Sequence, residues 1–146
     1  MLHGSTFEFL VPSYNPIILT EINFRNNSGI HFVPSEEETQ ITYDEFSKVR
    51  LKIGKVIHAE RIPGMNKVFK VIVDIGCEHR DLVVGAAPYF SPDQLVGRIV
   101  VICTNLIPRR IGSITSNGML LAAEGADGRP AFLTIVDYAP LGSVVR

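Results

Sequence analysis

The stretch VRLKIGKVIHAERI, residues 49–62, decides the fold class. Val49, Leu51 and Ile53 alternate with Arg50, Lys52 and Gly54. A period of two sends successive side chains to opposite faces, so the pattern predicts a strand with one wet face. Gly54 inside it predicts a bulge or a sharp bend. Beyond it, PGMN (63–66) reads as a turn, and KVFKVIVDIG (67–76) and RDLVVGAA (80–87) read as two more strands. RIVVICTNL (98–106) is apolar enough for a buried strand. GMLLAAE (118–124) and PAFLTI (130–135) follow, joined by the turn GADGR.

Two short helices are expected. SPDQLVG (91–97) has Ser91 at the cap, Pro92 at the first position, Gln94 as reciprocal partner and Gly97 as the stop. YDEFSKV (43–49) forms the other, capped by Thr42 or Asp44. About five strands, with one short helix between the third and fourth, describe a small Greek-key barrel. The expected class is therefore all-β: a five-stranded barrel of the oligonucleotide/oligosaccharide-binding (OB) fold with short helices. A β-sandwich is the alternative, and the capped helix in mid-sheet argues against it.

The acidic cluster PSEEETQ (34–40) divides the chain. Residues 1–40 are read as a β-rich N-terminal extension. In it IILTEINF (17–24) and GIHFV (29–33) form a hairpin and FEFLV (7–11) adds a strand; these strands either add to the barrel or pair with another subunit, as a dimerisation arm. Residues 41–146 are read as the barrel. The formal net charge is −1, yet residues 41–146 hold 13 basic and 10 acidic side chains while residues 1–40 hold one and five. The larger segment is thus mildly basic.

Composition removes several classes. With 46% hydrophobic residues and almost no net charge, the chain is not disordered as a whole. It has no run of 18 apolar residues, and its start lacks the pattern of a secretory signal, so a cytoplasmic, membrane-free protein is expected. Cys77 and Cys103 lie in apolar runs and are read as reduced core thiols. Cys77, Glu78 and His79 offer too few ligands for a metal, so no metal and no cofactor are expected. No nucleophile, base and orienting acid form a catalytic set, and His58 reads as a half-buried strand residue.

The informative stretch is NLIPRRIGSITSNGMLLAAE (105–124). Pro108 interrupts pairing, so Arg109 and Arg110 are expected on a loop. A polar turn, Thr115 to Gly118, leads back to Met119. Each residue alone has an ordinary reading: Asn105 and Ser116 cap turns, Met119 packs in the core, and the arginines and Lys67 are solvated. Together they offer guanidinium forks for phosphate, amide and hydroxyl groups, and a thioether that packs on a splayed base. Single-stranded RNA calls for that mixture.

This stretch resembles the tRNA-binding domain found at the C-terminus of methionyl-tRNA synthetases. The domain also occurs in endothelial monocyte-activating polypeptide-like proteins, in free-standing tRNA-binding proteins and in an export chaperone. The family's Asn-Leu-x-Pro-Arg-Lys/Arg segment stands here as Asn105 to Arg110, and its Ser-x-Gly-Met as Ser116 to Met119. VRLKIGKVIHAERI is similar to its first strand, Met65-Asn66-Lys67-Val68 to its Ala-Asp-Lys-Leu turn, and SPDQLVGR to its Pro-Glu-Glu-Leu-Val-Gly segment. The likeness runs from about residue 42 to 146. It departs at Asn66, where the family has Asp, and at Val84 to Pro88, which replaces a Ser-Gly-Ile segment and is similar to the related domain of phenylalanyl-tRNA synthetase β chains. Residues 1–40 carry none of the motifs.

The resemblance implies a non-catalytic protein that binds tRNA by shape and backbone, often as a homodimer. It acts alone or as a separate β subunit beside an aminoacyl-tRNA synthetase, that for methionine. The implied contacts are Lys67, Asn105, Arg109, Arg110, Ser116 and Met119. The alternative is a peptide-binding export chaperone on the same fold, with Phe69, Tyr89 and Phe90 as its exposed apolar patch.

Overall fold

Two long strands within residues 51–74 build the centre of the molecule. The computed structural model describes residues 39–146, so the hairpin and strand expected within 7–33 lie outside the described residues. A five-residue helix, α1 (Tyr43–Ser47), opens the described part. Of the two cap residues considered, Thr42 is the one used: its hydroxyl accepts from the Glu45 N–H, and the Glu45 carboxylate accepts from the Thr42 N–H at 2.7 Å. Then come β1 (Leu51–Ile62), β2 (Met65–Asp74), β3 (His79–Val84) and β4 (Ile99–Cys103). Short strands follow: β5 (Arg109–Ile111), β6 (Ile114–Ser116), β7 (Met119–Leu120), β8 (Ala122–Glu124), β9 (Pro130–Phe132) and β10 (Val144–Val145).

The main sheet runs in the order β3-β2-β1-β4-β7, all antiparallel, with β10 also paired to β1. β5–β6 and β8–β9 are separate two-stranded ladders. The all-β expectation holds, but the ladder is not continuous around a closed barrel. Its two ends are tied instead by the segment after β6, where the Asn117 N–H donates to the Asp81 carbonyl at 2.7 Å.

Phe69, Val71 and Val73 of β2 are fully buried, and with Val56, Leu82, Val100 and Ile102 they form the core. β1 would lose this face but for a register shift. Val56 pairs with Val73 and Ala59 with Val71, so one extra residue lies between them, at Ile57. That bulge returns Ala59 to the core side. The bulge expected at Gly54 is therefore three residues further on. Gly54 meets a different need: a Cβ there would collide with the Val73 side chain and lie 3.2 Å from the Asp74 carbonyl oxygen.

Other expectations are corrected by packing. SPDQLVG yields only a single 3-10 turn, Pro92–Gln94. The Gln94 side chain does accept from the Ser91 N–H at 2.9 Å, but the Gly97 N–H turns away to the Val56 carbonyl at 2.7 Å, which ends the turn. The run 118–124 changes partner at Leu121, whose N–H still bonds the Val101 carbonyl of β4 while its own carbonyl accepts from the Leu133 N–H just past β9. Cys103 is buried as expected, whereas Cys77 is exposed in the β2–β3 turn. His58 is exposed, 3.6 Å from Glu60.

Candidate nucleic-acid interface

Arg109 and Arg110 do not hang on a loop. β4 ends at Cys103, residues 104–108 lie outside any strand, and the chain pairs again directly after Pro108 as the β5–β6 hairpin, with Arg109 opposite Ser116 and Arg110 opposite Thr115. Both arginines are exposed. The ion pairs among the described residues are His58–Glu60, Lys70–Glu60 and Arg80–Glu78, so Lys67, Arg109 and Arg110 have no carboxylate within ion-pair distance there. The Arg110 Nε donates to the Gly112 carbonyl at 3.2 Å, which folds this side chain along the hairpin tip.

The tip lies against β2. A Cβ built on Gly112 would stand 3.2 Å from the Met65 sulfur. Lys67 is two residues beyond Met65 on the same strand and is exposed, next to a register shift between Arg61 and Ile62. The hairpin tip just beyond Arg110 and the start of β2 thus meet at Met65.

The root of the hairpin is fixed by side chains expected in the interface. Ser116 is buried, 6% exposed. Its Oγ accepts from the Val83 N–H at 3.0 Å and donates to the Gly118 carbonyl at 3.1 Å. Gly118 follows with a φ of 142°, and a Cβ there would sit 2.6 Å from the Cys103 carbonyl oxygen, so no other residue fits this crossing. Asn105 spends its amide on the backbone: Oδ1 accepts from the Arg50 N–H at 2.8 Å, and Nδ2 donates to the Lys48 carbonyl at 2.6 Å. Met119 is 50% exposed and pairs with Cys103, two residues from Asn105.

Two residues of this region escape a reading of the sequence. Met65 receives the hairpin tip, and Arg80 donates to the Thr104 and Asn117 carbonyls at 3.4 Å, bracing both sides of the root. Nothing local marks either one, because their partners lie far along the chain. Elsewhere, the Glu60 carboxyl is held below the usual range first by its hydrogen bond from Lys70 and then by His58. Among the described residues no group of three His, Cys, Asp or Glu side chains is placed to hold a metal.

Strand order and short connections place residues 41–146 among small all-β domains, as one compact unit. The family model described as "Putative tRNA binding domain" matches residues 51–144, and the chain belongs to that family. Methionine–tRNA ligase of Thermotoga maritima is 45% identical over 93 residues, 64% of this chain and 15% of the ligase. The enzyme of Methanoregula boonei is 48% identical over 92 residues, 63% of this chain and 14% of the ligase. The chain therefore spans only about a seventh of these relatives' length. The crystal structure of a MetRS-related protein from Pyrococcus horikoshii has a TM-score of 0.69 and 36% identity, covering 73% of this chain and 98% of that one. The chaperone CsaA from Bacillus anthracis, at 22% identity and TM-score 0.66, covers 73% of this chain and 99% of its own and shares the fold. No helix among the described residues is long and apolar enough to cross a membrane.

Proposed function

We propose that this chain is a non-catalytic tRNA-binding protein, working alone or as a separate subunit beside a methionyl-tRNA synthetase. The β5–β6 hairpin is its main contact. One observation supports the reading: Arg109 and Arg110, exposed and without carboxylate partners among the described residues, stand on a hairpin whose tip rests on Met65, two residues before Lys67, which also has no carboxylate partner there. Their guanidinium and ammonium groups take phosphate oxygens, and the half-exposed Met119 thioether packs against a splayed base. Asn105 and Ser116 hold this surface in place and are positioning residues, since their polar atoms already have partners. Tethered near a synthetase, such a module raises the local concentration of tRNA.

A gel-shift titration with total tRNA tests this. Arg109→Gln with Arg110→Gln is expected to weaken binding at least tenfold, and an unchanged affinity would contradict it.

The homodimer belongs to the same reading. Val136 and Tyr138 are 100% and 90% exposed beside a hollow of about 460 Å³ that Ile99, Ile135 and Leu141 also line. A mainly apolar surface of this kind, with Lys55 and Asp137 also lining it, suits a protein contact. Sedimentation of the full chain should give twice the monomer mass; a monomer at micromolar concentration would remove this part. The chaperone reading is weaker, because Phe69 and Phe90 of its expected patch are buried and only Tyr89 is exposed.

A further inference from the structure

Two guanidinium groups converge on one aromatic ring at the far end of β4 from the hairpin. The Arg98 guanidinium carbon lies 5.1 Å from the Phe90 ring centroid and 5.8 Å from that of Phe132. The Arg129 guanidinium carbon lies 4.6 Å from the Phe90 centroid. The rings themselves are 5.4 Å apart and tilted, and Phe132 packs on the core. Both guanidinium carbons being so near one centroid, they lie within a Debye length of each other, about 10 Å at 0.1 M salt.

Neither arginine has an ion-pair partner among the described residues. Asp127, the nearest acid in sequence to Arg129, turns its Oδ1 to the Arg129 backbone N–H at 3.0 Å instead. The Arg98 Nε donates to the Gln94 carbonyl, which holds the side chain over the rings and leaves the terminal nitrogens for another acceptor. Phe132 and Arg98 also line a hollow of about 250 Å³ with Ile99 and Thr134. Tyr89, exposed, borders the same turn: a Cβ at Gly128 would be 3.2 Å from its hydroxyl oxygen.

Like charges held close together without a counter-charge favour an anion. Stacking fixes each guanidinium plane beforehand, so less freedom is lost when a phosphate is bound. Arginines interleaved with an exposed aromatic suit a nucleic-acid strand better than a free anion. We propose that Arg98 and Arg129, laid over Phe90 beside Tyr89, form a second contact for the RNA phosphodiester backbone, separate from the β5–β6 hairpin. This deepens the tRNA-binding reading and rests on it. From Arg98 to Thr104 the strand spans about 20 Å, so one RNA engages both ends only by crossing the domain.

The test is the salt dependence of total-tRNA binding by the full chain. Arg98→Gln with Arg129→Gln should make the log-log slope shallower by about 0.7 for each phosphate that is no longer neutralised. Arg98→Lys with Arg129→Lys, which keeps the charges, should return most of the slope. A Gln pair with native slope and affinity, beside a weakened hairpin pair, overturns the second contact and leaves the hairpin reading standing. A Lys pair that restores thermal stability but not the slope also overturns it. If neither arginine pair alters binding, both readings fall. Should the Gln pair not fold, Arg129→Gln alone, on the exposed β8–β9 turn, carries the same test with half the effect.

Discussion

The Ser116 hydroxyl accepts a 3.0 Å hydrogen bond from the Val83 N–H, joining two strands 33 residues apart. β3 is an end strand of the main sheet, and the Ser116 oxygen is what Val83 meets on the outer side of that strand. Ser116→Ala leaves that N–H without its acceptor. Urea unfolding should show a loss of about 1–3 kcal/mol. Measured where both proteins are folded, tRNA affinity should change by less than about threefold, because Ser116 positions the hairpin and does not reach RNA.

Asn105 bridges the backbone on either side of Val49. Asn105→Asp keeps the acceptor for the Arg50 N–H but turns a carboxylate oxygen toward the Lys48 carbonyl, where an N–H donated before. The Asp variant should therefore melt no higher than Asn105→Ala, although it is nearly isosteric. An Asp variant as stable as the native chain would show that the Nδ2 bond contributes nothing. The loss for Ala should be about 1 kcal/mol, that of an ordinary hydrogen bond.

Glu60 provides a pH signature. Lys70 lies 3.4 Å away and His58 3.6 Å, and both hold its carboxyl below the ordinary value. A carboxyl lowered in the folded state stabilises fully above its unfolded value, about 4.3, and that contribution is lost as pH falls through the folded value. Carbon-detected NMR should place the Glu60 midpoint below that of an unfolded glutamate, and Lys70→Met should raise it. An unmoved midpoint in the Met variant would assign the shift to another cause.

The strands that carry the core are legible in the sequence because their cue is local. Residues 49–54 alternate in sequence and 67–74 alternate in burial, and such a cue is visible within a short window. The bulge at Ile57 is not legible, since only pairing with Val71 and Val73 reveals the extra residue. The roles of Asn105 and Ser116 are hidden for the same reason: their partners are 55 and 33 positions away. Arg109 and Arg110 stand out as a charged pair, but the hairpin that presents them does not, because Pro108 reads as a break and the ladder resumes at once behind it. Phe90 is expected at the surface only in the chaperone alternative, and two arginines and Phe132 cover its ring.

Salt dependence of tRNA binding by the native chain reads out the cationic contacts themselves. If Lys67, Arg109 and Arg110 each neutralise a phosphate, log affinity should fall against log salt concentration with a slope of about −2 or steeper. A slope near zero, or no complex at about 50 mM salt, would contradict the account.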